Sequence, residues 1–318
     1  MNFLVTGGAG FIGSNLCERL LASGHAVWAL DDLNDFYNPD FKRRNLKEIE
    51  SLGKPFCFAQ VDVTNRTAVD EVFRGSHFDQ VIHLAARAGV RPSLLEPALY
   101  QRVNVEGTVN LLEASRLHGV PKITSASSSS VYGANSKVPF AETDPIFSAI
   151  SPYAASKLAC EALGHVYHHI YGLDVVMLRF FTVYGRRQRP DLAIYKFARL
   201  ITAGKPIPVF GDPEQSGRDY TYIDDILDGI MACTRQNFGY EIFNLGESQV
   251  VKLKRMIELL ESALGKKALI QSHPMQPGDV PVTFADISKA RSRLNYSPQV
   301  QIERGIPRFV EWFNKHAP

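Results

Sequence analysis

Apolar residues follow two alternating periods along the first half of the chain. Short unbroken apolar runs, the pattern of strands buried on both faces, occur at 2–6, 26–30, 56–61, 80–84, 122–126 and 175–178. Between them, apolar positions recur every three or four residues. This helical spacing follows the first run, with Leu16, Leu20 and Leu21 on one side, and returns at 40–52, 67–73, 99–118 and 153–171. Strict strand–helix alternation predicts an α/β fold, a Rossmann-type doubly wound parallel sheet with helices on both faces. Beyond about residue 180 the segments shorten and become richer in Pro, Gly and Arg. Residues 1–180, with a returning piece near 220–246, are expected to form one domain, and 181–318 a smaller mixed α/β one. In the second part, 242–246 reads as a strand returning to the main sheet, 209–218 as a loop over a ligand, and 253–264 and 302–313 as amphipathic helices.

The first strand, helix and second strand carry the first chemical signal. Gly7, Gly8, Gly10 and Gly13 lie between strand and helix, and the second strand ends at Asp31-Asp32. A pyrophosphate sits on a helix N-terminus only where backbone amides are bare and close, so the turn has no room for side chains. An acid about twenty residues on accepts hydrogen bonds from a ribose diol. Either Asp31 or Asp32 fits that role, and a carboxylate there repels a 2′-phosphate, so NAD is expected rather than NADP. The glycines read in two registers, Gly8-x-Gly10-x-x-Gly13 or Gly7-x-x-Gly10-x-x-Gly13. The second is the pattern of short-chain dehydrogenases/reductases, and it predicts Tyr-x-x-x-Lys near residue 150. Tyr153-Ala154-Ala155-Ser156-Lys157 stands there.

Tyrosine and lysine four apart share a helix face. A free phenol titrates near pH ~10 and is a poor base at neutral pH. A neighbouring ammonium and a cationic nicotinamide both favour the phenolate, the form a general base needs. The fifth strand runs into Ser127-Ser128-Ser129-Ser130-Val131-Tyr132-Gly133 at the sheet edge that faces such a cleft. A serine hydroxyl there shares a proton with a substrate hydroxyl and holds it in line.

Composition narrows the class. A formal charge of +2, scattered along the chain, leaves no footprint for nucleic acid or an anionic membrane. Cys17, Cys57, Cys160 and Cys233 are far apart and read as free thiols in a reducing compartment. His83, at the end of a buried strand, reads as a packed or cofactor-adjacent histidine, and His165, His168 and His169 as surface or subunit-contact residues; no metal site is expected. Asp224 and Asp225 read as a supported helix start. With a strand beginning at Asn2 and no apolar run of spanning length, a cytoplasmic protein is expected.

Over nearly its whole length the chain resembles the extended short-chain dehydrogenases/reductases of the nucleotide-sugar epimerase/dehydratase family. The likeness is carried by 6–13, His83-Leu84-Ala85-Ala86, Asn104-Val105-Glu106-Gly107-Thr108, 127–133, 151–157, Leu178-Arg179-Phe180-Phe181, 218–225 and Pro277-Gly278-Asp279. The resemblance implies that Gly7, Gly10, Phe11, Ile12, Gly13, Asp31, Asp62, Val63, Leu84, Ala86, Asn104, Tyr153, Lys157 and Phe181 hold NAD, with Asp32 and Ala85 beside them. It implies that Ser128 and Tyr153 act on a sugar hydroxyl, and that Arg218 and Asp279 grip the nucleotide.

Within the family the chain is most similar to the UDP-glucuronate 4-epimerases. Ala88-Gly89-Val90-Arg91-Pro92-Ser93 matches that group's glycine–arginine loop, and Ser128-Ser129-Ser130 replaces the Asp-Glu pair of the dehydratases. By that likeness Ser129, Ser130, Thr182 and Arg189 recognise the sugar carboxylate, which a guanidinium pairs bidentately. Where the group has proline after Tyr184-Gly185, this chain has Arg186, so Arg186, Arg187 and Arg189 all compete to take the carboxylate or the diphosphate. The resemblance implies transient oxidation at C4 and hydride return to the opposite sugar face. Rivals are a UDP-glucose or UDP-N-acetylglucosamine 4-epimerase, a UDP-glucuronate decarboxylase, and a catalytically silent NAD sensor. The helices over 99–118 and 153–171 offer apolar faces beyond the sheet; the resemblance implies a homodimer through a four-helix bundle of them, while the sequence alone also allows a monomer.

Overall fold

The computed structural model describes residues 1–135, 137–275 and 280–316. In chain order its elements are β1 (Asn2–Thr6), α1 (Phe11–Ala22), β2 (Ala26–Asp31), α2 (Asp40–Glu50), β3 (Phe56–Gln60), α3 (Arg66–Gly75) and β4 (Gln80–His83). There follow α4 (Val90–Leu95), α5 (Pro97–Tyr100), a π-helical turn (Gln101–Glu106), α6 (Gly107–Leu117), β5 (Lys122–Ser128) and a 3-10 turn (Ser129–Tyr132). Then come α7 (Pro152–Tyr171), β6 (Asp174–Phe180), β7 (Thr182–Tyr184), α8 (Ala193–Thr202), β8 (Ile207–Phe210), β9 (Gly217–Tyr222) and α9 (Ile223–Cys233). The chain closes with β10 (Tyr240–Leu245), β11 (Val250–Lys252), α10 (Leu253–Leu264), β12 (Ile270–His273), α11 (Ser288–Leu294) and α12 (Ile302–His316).

Seven parallel strands make the main sheet, in the order β10-β6-β5-β4-β1-β2-β3. β1 lies between β2 and β4, so successive connections leave it in opposite directions. The crevice beyond the carboxyl ends of β1 and β4 is where such sheets bind ligands. Unbroken apolar strands suit this sheet because both faces are covered: β1, β4, β5 and β6 are buried almost throughout. The stretch near 242–245 does return, as β10 beside β6, after the chain has already built β7, β8 and β9.

The second half adds a three-stranded sheet, β11-β9-β7, and a β12-β8 pair. Helices α8, α10 and α12 enclose them around Tyr195, Phe309 and Phe313. One close contact fixes α12. A Cβ at Gly305 would lie 1.8 Å from the Tyr184 hydroxyl, so only glycine lets that helix approach β7.

The expected single helix over 99–118 is divided into α5, the π-helical turn and α6. The widened turn has a physical cause. Asn104 within it accepts from the Arg87 amide at 2.8 Å and donates to the Arg87 carbonyl at 3.0 Å and to Ser156 Oγ at 2.9 Å. One inserted residue thereby ties the loop after β4 to α7, and π turns of this kind often stand at functional sites.

Candidate active site

The glycine turn builds the floor of the cleft. Gly7 has φ +68°, and a Cβ on it would meet the Ala85 amide nitrogen at 2.8 Å. A Cβ on Gly13 would lie 2.1 Å from the Gly7 carbonyl oxygen. Gly7, Gly10 and Gly13 line the cleft, whereas Gly8 packs against Ala29 of β2. Helix α1 begins at Gly10 with no side-chain cap and no acid in its first turn, so its amides are left for a ligand.

At the end of β2, Asp31 is buried and its Oδ1 accepts from the Leu33 amide at 2.9 Å and from Lys42 Nζ at 3.1 Å. Burial raises its carboxyl above the ordinary range despite Lys42. Asp32 caps the next turn instead, accepting from the Asn34 amide at 3.0 Å. Lys42, one helix beyond, was not anticipated; it carries no motif and is brought in by the packing of α2.

The cleft has a volume of about 440 Å³. Besides the glycines it is lined by Phe11, Ile12, Asp31, Asp32, Asp62, Val63, Leu84, Ala85, Ala86, Ser128, Ser129, Ser130, Tyr153, Lys157, Phe181, Thr182 and Arg189. Asn104 sits outside this lining, as the buried link described above. A second cleft, of about 320 Å³, shares Thr182 with the first and contains Arg91, Arg218, Lys196 and Phe210. Arg91 lies 4.4 Å over the Phe210 ring, and Arg218 donates to the carbonyls of Gly217 and Pro281 at 2.8 and 3.0 Å. Asp279 lies outside the described residues.

Tyr153 and Lys157 stand on the first turns of α7, which Ser151 caps by accepting from the Ala154 amide at 3.1 Å. Lys157 Nζ donates to the Ala126 carbonyl at 2.7 Å. Ser128, two residues on along β5, donates to Ser130 Oγ at 3.2 Å and accepts from the Ser130 amide at 3.1 Å. His83 is packed beneath, bonded to Thr6 Oγ1 at 2.7 Å and Thr108 Oγ1 at 3.1 Å. Burial, reinforced by the Lys157 charge, lowers its pKa to about 3, so the imidazole is neutral.

Geometry separates the three arginines. Arg186 pairs with Glu18 at 2.8 Å, and Arg187 with Glu18 at 2.8 Å and Glu48 at 2.7 Å, tying β7's exit to α1 and α2. Only Arg189 lines the main cleft. Its Nε and Nη2 donate to Asp191 at 3.0 and 2.7 Å, and its face lies 5.2 Å from the Phe36 ring. Arg87 lies 5.4 Å from the same ring, so Phe36 receives guanidinium groups from two separate loops. Neither Phe36 nor Arg87 had a sequence signal, because neither spacing nor residue type marks a stacking pair.

A doubly wound sheet, a bare glycine turn at its switch point, and Ser, Tyr and Lys converging at the carboxyl edge define a dinucleotide-binding enzyme that acts on a hydroxyl. Residues 4–309 match the family model described as GDP-mannose 4,6 dehydratase, and the chain belongs to that family. It is 46% identical over 311 residues to the UDP-glucuronate 4-epimerase of Thermodesulfobacterium geofontis, covering 98% of this chain and 95% of the relative. Among solved structures it is similar to the UDP-glucuronic acid 4-epimerase of Bacillus cereus in complex with UDP-glucuronic acid and NAD. That likeness has a TM-score of 0.91 at 36% identity and covers 99% of each chain. The UDP-glucose 4-epimerase of Thermotoga maritima with UDP-glucose matches with a TM-score of 0.92 at 32% identity, covering 100% of each chain.

Proposed function

We propose that this protein is an NAD-dependent 4-epimerase interconverting UDP-glucuronate and UDP-galacturonate. The observation that carries the sugar assignment is the position of Arg189. It is the one arginine of its loop that lines the cleft holding Tyr153, Ser128, Ser129, Ser130 and Thr182. A guanidinium and three hydroxyls make a donor set for a carboxylate.

The glycine cradle, which Cβ atoms would fill, fits a pyrophosphate; among the described residues Leu33 and Lys42 both bond Asp31 through Oδ1, which leaves Oδ2 to accept from the adenosine ribose. NAD held there supplies a hydride acceptor that later returns the hydride. The chain's own residues handle the proton and the sugar. Tyr153, with the Lys157 ammonium one helical turn on, takes the proton from the 4-hydroxyl, and Ser128 holds that hydroxyl and relays the proton. The 4-keto sugar turns over while Arg218 and Arg91 in the adjoining cleft hold the nucleotide. Tyr153 then gives its proton back to the C4 oxygen as hydride arrives on the opposite face of C4. Ser129, Ser130, Thr182 and Arg189 keep the carboxylate engaged and in place.

The reading has two further parts. Leu117, Val166, Ile170 and Tyr171 leave an apolar face on α6 and α7 about half exposed, which suits a homodimer. All four cysteines are free, which suits the reducing cytoplasm. Deuterium at C4 of UDP-glucuronate tests the chemistry. Label retained at C4 of the product supports hydride removal and return within one site; label lost to solvent contradicts it.

A further inference from the structure

A second polar constellation lies directly behind the catalytic residues, and the chemistry above makes no use of it. Ser127, Arg179 and Asn244 are register neighbours across β5, β6 and β10, so they form one row on one face of the sheet. Glu161 of α7 enters this row. It accepts from Ser127 Oγ at 2.5 Å and from two of the Arg179 nitrogens, Nε at 2.9 Å and Nη2 at 2.8 Å. Arg179 Nη1 donates to the Tyr132 hydroxyl at 3.0 Å, and that hydroxyl donates to Asn244 Oδ1 at 2.7 Å. Asn244 Nδ2 donates to the carbonyls of Phe140 at 2.8 Å and Asp286 at 3.1 Å. Arg179, Asn244 and Ser127 are at most 2% exposed.

Tyr153, Lys157 and Glu161 are successive every-fourth residues of α7, so they follow one side of the helix. Lys157 is anchored on Ala126, Glu161 on Ser127, and Ser128 is the next residue of the same strand. Tyr132 ends the 3-10 turn that begins at Ser129. A buried carboxylate–guanidinium pair is directional and tolerates little rotation. Apolar packing alone would let α7 turn by several degrees about its axis, which displaces a tyrosine hydroxyl at the helix surface.

We propose that Glu161, Arg179 and Tyr132 are positioning residues that fix the rotation of α7 and the path after Ser128, and so hold Tyr153 in line with Ser128. The inference rests on Ser128, Tyr153 and Lys157 being the hydroxyl-oxidising set of the function proposed above. A misplacement of about 1 Å at such a site lowers turnover up to ~100-fold.

The test compares Glu161→Gln, Tyr132→Phe and the apolar pair Glu161→Leu/Arg179→Met with wild type, each as the NAD-bound enzyme. Both UDP-glucuronate and UDP-glucose serve as substrates, and each variant is crystallised with NAD. The expected result is a kcat loss of about 10- to 100-fold with KM within about twofold, and a displaced Tyr153 hydroxyl. Replacing a buried ion pair by apolar groups often recovers thermal stability. The apolar pair is therefore expected to regain melting temperature over Glu161→Gln while its kcat stays low. Tyr132→Phe keeps the ion pair and serves where the apolar pair fails to fold. Wild-type kcat in Glu161→Gln and Tyr132→Phe, with only the melting temperature lowered, overturns the proposal and leaves a purely structural pair. A wild type active on UDP-glucose alone overturns the sugar assignment instead, and the variant comparison is then read with that sugar.

Discussion

Lys157 is hydrogen-bonded through its ammonium to the carbonyl of Ala126, at 2.7 Å, two residues before Ser128 on the same strand. Lys157 of α7 is thus fixed to the strand that carries Ser128. Removing the ammonium removes that anchor on β5, and a charge from the cleft that Tyr153 and Lys157 both line. Lys157→Met is expected to lower kcat by about 100-fold or more, the usual scale for losing acid–base assistance. Initial rates at saturating UDP-sugar check this; a loss below about tenfold contradicts the role.

Arg189 and its neighbours offer a specificity test. Charge-assisted hydrogen bonds contribute about 1.5–3 kcal/mol, so Arg189→Met is expected to lower kcat/KM for UDP-glucuronate about 10- to 100-fold. Asp191 accepts from Nε and Nη2 and thereby orients the guanidinium, so Asp191→Asn raises KM for the acidic sugar. Arg186 holds only a partly exposed pair with Glu18, and Arg186→Ala is expected to leave kcat/KM within about twofold. Equal losses at Arg186 and Arg189 would overturn the assignment.

The glycine cradle predicts a binding defect. Gly13→Ala places a methyl 2.1 Å from the Gly7 carbonyl oxygen, and that backbone must shift away from the helix start. The purified variant is expected to carry far less NAD than wild type, measured as dinucleotide released on denaturation.

These expectations show which features the chain announces locally. The turn from Gly7 to Gly13 and the Tyr153–Lys157 pair were legible because their chemistry demands fixed spacings on one turn or one helix. The ranking of Arg186, Arg187 and Arg189 was not, because Glu18 and Glu48 reach that loop from α1 and α2, far away in sequence. The helix over 99–118 was legible as helical, but its π-helical turn depends on Asn104 reaching Arg87 and Ser156. Glu161 reads as an ordinary helix residue, and Arg179, though within a stretch that carries the likeness, has no role until the sheet sets it beside Ser127.

Stability is expected to depend on pH through a carboxylate pair near the end of β10. Burial, with Asp225 and Asp219 nearby, raises Glu247 to about 7. Burial raises Asp219 to about 6, against four hydrogen-bond donors. Both bind protons more tightly folded than unfolded, so their contribution is full below the ordinary carboxylate range and is lost as pH rises through 6 and 7. His83, held neutral down to about 3, acts with the opposite sign between 3 and 6.5. Subtracting the wild-type melting curve from that of Glu247→Gln cancels His83. The variant's relative melting temperature is expected to rise between about pH 5 and about pH 8. A flat difference contradicts the raised carboxyl.

The central claim is that one site, with NAD already in place, inverts C4 of a UDP-sugar acid. The most direct measurement incubates the purified protein with UDP-glucuronate and follows the anomeric protons by NMR, with no NAD added. The account predicts that UDP-galacturonate accumulates to an equilibrium mixture. Release of carbon dioxide with a UDP-pentose, or no turnover there beside interconversion of UDP-glucose and UDP-galactose, would contradict it.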